Sequence, residues 1–205
     1  MIDCPLTLET PFLIGYYGYI TMPAFVFAII LNNVIMNDSF NNFTSLIIFS
    51  LFIAINQGTN GLLKQICQQS RPENPINIVK HDATTNPCLG MPSGHAQSVM
   101  FATTYLYFYT KNPLLLIISG ITSSLTISQR LVYRKHTPLQ LFVGGTLGIF
   151  FGYTAHIASK YLHIPMNTFN FVLLSLSLLG LFYIDRHNLA EKKLLPFLKS
   201  NTTLK

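Results

Sequence analysis

The stretch Leu13–Met36, LIGYYGYITMPAFVFAIILNNVIM, runs for 24 residues without a single charged side chain. A helix needs roughly 20 apolar residues to cross a bilayer core about 30 Å thick. The same shortage of charge extends over the whole chain, since only 10% of its 205 residues are charged and half are hydrophobic. A soluble domain usually carries about 25% charged residues. The sequence therefore predicts a membrane protein.

Five more apolar segments follow the first one. They lie at about Phe43–Leu63, His95–Tyr109, Pro113–Leu131, Leu139–Ile157 and Phe169–Ile184. The third span is short and rich in Ser, Thr and Tyr, so we expect it to face other helices rather than lipid. The second span ends in INQGTNGLLK, whose small and amide side chains suit contacts between helices. We expect an all-α, polytopic transmembrane helical bundle of about six spans, with residues 1–205 forming a single membrane domain.

The connections between the spans predict where a site would lie. An even number of spans places both termini on one side, together with the ends of spans two and four and the starts of spans three and five. The connection from Gln65 to Pro92 is long, and its four prolines, Pro72, Pro75, Pro87 and Pro92, oppose helix formation. A loop of that length is usually functional or disordered. We therefore expect the polar residues around it to gather at one membrane face.

Three clusters of polar residues fall at that predicted face. They are Lys64 with Arg71-Pro72, then Pro92-Ser93-Gly94-His95, then Arg130 with His136 and Gln140. Each has an ordinary explanation when taken alone. Lys64 could be a lysine whose charge reaches the interface, Ser93 a helix cap, and Arg130 an interfacial anchor.

Together the clusters suit phosphoryl transfer. A transferring phosphoryl group spreads negative charge over three oxygens, which calls for fixed cations and N–H donors. Lysine and arginine side chains supply the cations, and the N–H of Gly94 lies where a helix is predicted to begin. Two histidines could then attack phosphorus and protonate the departing oxygen. The sequence offers no cluster of Asp or Glu for a metal, so we expect no metal and no cofactor.

The ordered motifs Lys-x6-Arg-Pro, Pro-Ser-Gly-His and Arg-x5-His resemble those of the type 2 phosphatidic-acid phosphatase (PAP2) superfamily, which includes vanadium haloperoxidases. The resemblance runs from Lys64 to about Gly145. It implies a PAP2-like core at about residues 43–158. The N-terminal span 13–36, the C-terminal span 169–184 and the basic tail 186–205 would lie outside that core.

The resemblance also implies a role for each matching residue. His136 would be the nucleophile that forms a phosphohistidine, and His95 the general acid on the leaving group. Gln140 would orient the nucleophile. The residues that would bind the phosphate are Lys64, Arg71, Ser93, Gly94 and Arg130.

Two positions depart from the usual superfamily pattern. Gln129 precedes Arg130 where a Ser is usual, and Gln140 stands where an Asp usually follows the nucleophile. A carboxylate would add charge to the imidazole's partner, whereas a Gln carbonyl can only accept the ring N–H and orient it. The segment His136-Thr137-x-x-Gln140, with Met91-Pro92-Ser93 and Gln97, is similar to dolichyl-diphosphate phosphatases of the endoplasmic reticulum. That similarity implies a polyprenyl diphosphate substrate.

Several alternatives stay open at this stage. A broad lipid-phosphate phosphatase, a phosphotransferase and a non-catalytic lipid-binding homologue would all use the same residues. The partners expected are a lipid phosphate or diphosphate and membrane lipids, but no nucleic acid, because the basic residues do not form a stripe on a water-facing surface.

The oligomeric state stays open, and so does the side of the membrane that the site faces. Loop charges favour the cytosol, whereas the resemblance implies the lumen. Cys67 and Cys88 could pair, although we expect unpaired thiols.

Overall fold

The computed structural model describes residues 10–37, 40–76, 89–165 and 167, and within them it contains five α-helices and no strand. The helices are α1 (Thr10–Asn37), α2 (Phe40–Cys67), α3 (Gly94–Thr110), α4 (Pro113–Val132) and α5 (Pro138–Tyr161). They cover the first five expected spans, so the all-α prediction is confirmed. The sixth, Phe169–Ile184, and the basic tail 186–205 lie outside the described residues, and a total of six spans is not confirmed.

Four of these helices are long and apolar enough to cross a membrane. The candidate spans are Ile14–Met36, Asn41–Cys67, Pro113–Val132 and Pro138–Tyr161. The remaining helix, α3, has 17 residues and packs against all four others. Its Ala96, Val99, Ala102 and Tyr105 are fully buried. The short third segment therefore forms the centre of the bundle, and its polar composition fits because its side chains face protein instead of lipid.

The closest packing in the bundle joins α3 to α5. Gly144, Gly148 and Gly152 recur every fourth residue along the face of α5 that lies on α3. A Cβ at residue 148 would lie 2.2 Å from the carbonyl oxygen of Gln97, and one at residue 152 would lie 2.6 Å from that of Phe101. The two backbones can approach this closely only because these positions lack a side chain. These three glycines therefore fix the position of α5 along the axis of α3.

Buried amides connect α2 to the start of α3. The Gln97 Nε2 donates to both the backbone oxygen and the Oδ1 of Asn56, each at 2.9 Å. Asn60 Nδ2 donates to Gln97 Oε1 at 2.7 Å and to the Pro92 carbonyl at 3.3 Å. Buried polar groups are stable only when they are hydrogen-bonded. The amide-rich end of the second span thus forms the helix contacts that its composition predicted, and it holds the loop that precedes α3.

The alternating helix directions place the chemistry-bearing residues at one end of the bundle. The ends of α2 and α4 and the starts of α3 and α5 meet there, and the N-terminal part of α1 lies beside them. At the opposite end, Asn33 of α1, Asn42 of α2 and Tyr109 of α3 are hydrogen-bonded to one another. We call these the motif end and the far end.

Candidate active site

A tight turn between α4 and α5 places His136 beside the end of α4. The carbonyl of Arg130 accepts hydrogen bonds from the backbone N–H of Lys135 at 2.9 Å and of His136 at 3.4 Å. Arg134 adopts a left-handed conformation with φ 52°, which reverses the chain direction. Helix α5 then begins with a capping box between Thr137 and Gln140. The turn therefore fixes the backbone spacing of the Arg-x5-His motif.

The imidazole of His136 is held in one tautomer. Its Nδ1 lies 2.9 Å from the carbonyl oxygen of Gly90 and 3.2 Å from Gln140 Oε1. Both partners are acceptors, so Nδ1 must carry the proton and Nε2 must keep its lone pair. The side chain is 3% exposed. The imidazole of His136 is therefore oriented with Nε2 as the nitrogen that keeps its lone pair.

The side chain of Gln140 uses both ends of its amide. Its Oε1 accepts from the Thr137 N–H at 3.1 Å as well as from His136. Its Nε2 donates to the Ser70 carbonyl at 2.8 Å and to Gln69 Oε1 at 3.2 Å. A carboxylate at this position could not donate to those two oxygens. The loop that precedes Arg71 is thus shaped around an amide, which gives a structural reason for Gln at the position where Asp is usual.

Gly90 completes this arrangement. A Cβ at residue 90 would lie 2.6 Å from Gln140 Nε2, so a side chain there would displace the amide. The Gly90 N–H donates to the Gln69 carbonyl at 2.7 Å, and its own carbonyl accepts from His136. The sequence analysis missed Gly90, Gln69 and Ser70. Their contribution is made mainly through backbone atoms, which residue types in a motif do not reveal.

The second motif forms the N-terminus of α3. Ser93 is fully buried and caps the helix, with its Oγ accepting from the Ala96 N–H at 3.5 Å. Its own N–H donates to the Gln140 carbonyl at 3.0 Å, which joins the second and third motifs. The next residue, Gly94, is the first of the helix, where N–H groups and the helix dipole favour anions. The capping role of Ser93 is compatible with phosphate binding because capping uses Oγ only as an acceptor.

The two histidines and the predicted cations lie within electrostatic reach of one another. Arg130, only 2% exposed, hydrogen-bonds His95 Nε2 through its Nη2. A guanidinium can only donate, so in this state His95 Nε2 is the acceptor. Lys64 and Arg71 act electrostatically on both His95 and His136. The structure therefore brings the catalytic and cationic residues named from the sequence to one place.

Burial, together with the positive charges of Arg71, Lys64 and Arg130, lowers the pKa of His136 to about 3, while the hydrogen bond to Gln140 opposes the shift. The imidazole is consequently neutral at physiological pH. A nucleophilic nitrogen requires that neutral form.

The charge balance of the site favours an anionic ligand. Glu73, an exposed loop residue, is the single acidic side chain within the described parts of the chain. Three cations, a helix N-terminus and several N–H donors face no comparable set of carboxylates there. Over those same parts, no group of three His, Cys, Asp or Glu residues could hold a metal ion. Cys67 is an exposed free cysteine, and Cys88 lies outside the described residues.

Two tyrosines of α1 contact the site and were not identified from the sequence. The Tyr19 ring lies 4.0 Å from that of His95, between centroids, and Arg130 Cζ lies 5.0 Å from the centroid of the Tyr16 ring. Both follow a glycine in the segment Gly15–Tyr19. That spacing was visible, but α1 lies outside the resemblance and its tyrosines fit equally well in any apolar span.

The fold and the site together define a helical membrane protein with a cationic, histidine-containing centre at one end. Residues 45–164, more than half of the chain, match the model of the PAP2 superfamily, and the protein belongs to that superfamily. Neither the comparison with curated proteins nor the one with solved structures gave a significant match. Members of the superfamily are typically phosphatases, so membership indicates a lipid phosphatase, with a lipid substrate in the surrounding membrane.

Proposed function

We propose that the protein removes a phosphate from a polyprenyl diphosphate of the dolichyl type, through a phosphohistidine on His136. The observation that carries this proposal is the orientation of His136, whose Nδ1 is bound by Gly90 and Gln140. That arrangement leaves the neutral Nε2 beside three cations. A fixed nucleophile in a cationic site is the combination that phosphoryl transfer requires.

In the first step, Nε2 of His136 attacks phosphorus and the bond from phosphorus to the leaving oxygen breaks. Lys64, Arg71 and Arg130 balance the charge on the equatorial oxygens, and the N–H groups at the start of α3 add donors. His136 gains positive charge as the N–P bond forms. The Gly90 carbonyl and Gln140 Oε1 stabilise that charge because both accept hydrogen bonds from the Nδ1–H group.

His95 supplies a proton to the leaving oxygen. Without substrate, its Nε2 accepts from Arg130. Phosphate oxygens are stronger partners for a guanidinium than a neutral imidazole is. A bound phosphate would therefore draw Arg130 away from His95 and release Nε2, which takes up a proton from solvent and then passes it to the leaving oxygen. Substrate binding and readiness of the acid would thus be coupled through Arg130.

The second step reverses these roles. A water molecule attacks the phosphohistidine, His95 takes a proton from that water, and inorganic phosphate leaves as His136 Nε2 recovers its lone pair. Replacing the water with an alcohol would give a phosphotransferase by the same route. Hydrolysis is the proposal, because members of the superfamily are typically phosphatases.

The polyprenyl diphosphate is favoured by the environment of Gln140. The similarity to dolichyl-diphosphate phosphatases includes this amide, and here the amide has its own partners in Gln69 and Ser70. It is therefore part of an ordered site, which argues against a decayed, non-catalytic homologue. The same similarity leads us to propose the endoplasmic reticulum as the location.

A trapping experiment tests the mechanism. Purified protein is mixed with substrate labelled in the terminal phosphate and quenched in alkali, which preserves phosphohistidine. We expect label on the parent chain and none on His136→Ala, with activity lower by roughly 10⁴-fold or more. A His163→Ala variant, which changes an exposed histidine, is the control. Unchanged turnover in His136→Ala would overturn the proposal.

A substrate panel tests specificity. Polyprenyl diphosphate, polyprenyl monophosphate and phosphatidic acid are compared on detergent-solubilised protein with a chelator present. The proposal predicts the highest kcat/KM for the diphosphate and no loss of rate with the chelator. A clear preference for phosphatidic acid would replace the dolichyl-type substrate with a general lipid phosphate and leave the His136 mechanism in place.

A further inference from the structure

We propose that two tyrosines of α1 are positioning residues for this reaction: Tyr19 holds the general acid His95, and Tyr16 holds Arg130. The inference rests on the proposed function, because it assigns a use to the acid and cation named there. Both tyrosines lie outside the matched residues 45–164, so the superfamily model assigns them nothing.

Two glycines bring α1 close enough for this role. A Cβ at residue 15 would lie 2.6 Å from the Leu125 carbonyl oxygen, and one at residue 18 would lie 1.9 Å from Thr126 Oγ1. Helix α1 can therefore contact α4 at these levels only because both positions are glycine. Each glycine is followed by a tyrosine, so the same contact that joins α1 to α4 carries Tyr16 and Tyr19 to the motif end.

The burial pattern along α1 separates these tyrosines from their neighbours. Tyr16 is buried and Tyr19 half-buried, whereas Ile14, Tyr17 and Ile20 are exposed on the surface expected to face lipid. The two site tyrosines thus lie on the inner face of the helix. Tyr17 lies on the outer face, with its ring edge-on to that of Tyr16 at 4.9 Å between centroids, so it is a control for Tyr19 alone.

Tyr19 packs against the imidazole of His95. Their ring centroids are 4.0 Å apart with an angle of 46° between the planes, while the Tyr16 ring is farther away, at 6.5 Å. His95 is the second residue of α3, and its ring reaches toward α1 and α4. A packed aromatic neighbour restricts the ring's rotamers. When Arg130 turns to the phosphate, this contact is what keeps His95 in place.

Tyr16 contacts Arg130 through its ring face. The guanidinium carbon lies 5.0 Å from the ring centroid, within the range of a cation–π interaction. This electrostatic contact is separate from the hydrogen bond that Nη2 makes to His95. Arg130 can therefore exchange His95 for a phosphate oxygen without losing its support from α1.

The test exploits a difference between leaving groups. A long-chain alkyl phosphate releases a strongly basic alkoxide that needs a proton, whereas 4-nitrophenyl phosphate releases a weakly basic phenolate that hardly needs one. General acid catalysis contributes roughly 10²–10⁴-fold. The quantity compared is kcat/KM, because it ends at the departure of the leaving group and excludes the later step in which His95 acts as a base on water. We expect Tyr19→Leu to lower kcat/KM for the alkyl phosphate by roughly tenfold to a hundredfold, a part of that contribution, and to change kcat/KM for the nitrophenyl phosphate less than about threefold.

Three further variants complete the design. Tyr19→Phe keeps the ring and should lose less than Tyr19→Leu on the alkyl phosphate, and Tyr17→Leu should show no difference between the two substrates. Tyr16→Leu should lower both rates by a similar factor, because Arg130 acts on the phosphate whatever group departs. If Tyr19→Leu does not fold, Tyr19→Met, with a similar volume but no ring, carries the same comparison.

The outcomes separate this inference from the proposed function. Equal losses on both substrates for Tyr19→Leu, or no loss, would overturn the role of Tyr19 even if the His136-dependent label persists. Equal effects of Tyr17→Leu and Tyr19→Leu would show a general effect of α1 packing and would also overturn it. If His136→Ala remained fully active, the proposed function itself would fail, whatever the tyrosine variants do.

Discussion

The two ends of the bundle differ in the polar groups that they bury. At the far end, Tyr105 bonds to Ser45 and Ser159, and Tyr109 bonds to Asn33 and Asn42. All six groups are neutral. At the motif end, three cations surround two histidines, with Glu73 the single acidic side chain in the described parts of the chain. The far end resembles a closed protein core, whereas the motif end concentrates like charge.

This difference has an energetic consequence. Neutral hydrogen bonds between buried groups stabilise the fold, by about 1 kcal/mol each. Like charges held close together oppose it, and an anion bound among them relieves the repulsion. The far end should therefore contribute mainly to stability, and the motif end mainly to binding and catalysis.

The largest effect is expected from Arg130→Leu. Arginines that stabilise a transferring phosphoryl group contribute about 10³–10⁵-fold, so we expect activity to fall by roughly 10³-fold or more. The free energy of unfolding should stay the same or rise, because one of three close cations is removed. Steady-state kinetics and thermal unfolding in detergent measure both quantities.

Arg134→Leu is the matched control for Arg130→Leu. Arg134 is exposed in the same turn, and its removal changes the net charge equally. We expect parent-like activity from it. A marked loss of stability in Arg130→Leu with little loss of activity would contradict the contrast between the ends, since it would give the motif end a structural role.

Gln140→Glu tests whether the site requires an amide. Glutamate keeps the shape but replaces a donor with an acceptor opposite the Ser70 carbonyl and Gln69 Oε1. We expect a loss of about 1–3 kcal/mol in stability from the unsatisfied contacts, and lower activity because the loop before Arg71 shifts. Gln68→Glu is the matched control, because it adds the same charge at an exposed position nearby. Higher activity in Gln140→Glu would instead show that the site favours a carboxylate.

The pH dependence of stability tests the buried neutral histidine. The folded pKa of His136 is about 3, below the unfolded value of about 6.5. Its stabilising effect is therefore complete above pH 6.5 and is lost as the pH falls from about 6.5 toward 3, since the unfolded chain binds the proton first. As the pH falls from 7 to 5, this group should lower the free energy of unfolding by about 2 kcal/mol.

Unfolding at those two pH values, in the parent and in His136→Asn, measures this contribution by difference. The variant should lose about 2 kcal/mol less than the parent over the interval. His163→Asn, which changes an exposed histidine, should behave like the parent. An identical pH dependence in the parent and His136→Asn would mean that His136 is not buried as a neutral group.

The sequence predicted the parts of this molecule that depend on residue type. Apolar length predicted the helices, the alternating direction of successive spans predicted one polar end, and the motifs predicted which side chains would gather there. The backbone contributions were not predictable: Gly90 acts through its carbonyl, and Ser70 through a carbonyl that accepts from Gln140. Tyr16 and Tyr19 were missed because the orientation of their side chains depends on how α1 packs on α4. That packing involves residues distant in sequence, such as Leu125 and Thr126.

The smallest effect is expected at the far end, from Tyr105→Phe. Tyr105 is fully buried, and its hydroxyl bonds to the Ser45 carbonyl at 3.3 Å and to Ser159 Oγ at 3.0 Å. Removing the hydroxyl leaves two buried partners with fewer hydrogen bonds, at a cost of about 1–2 kcal/mol. Activity per folded molecule should not change, and Tyr107→Phe, exposed on the same helix, should change neither quantity. A loss of kcat in Tyr105→Phe would show that the far end is coupled to the site through α3, and the separation of roles between the two ends would then be wrong.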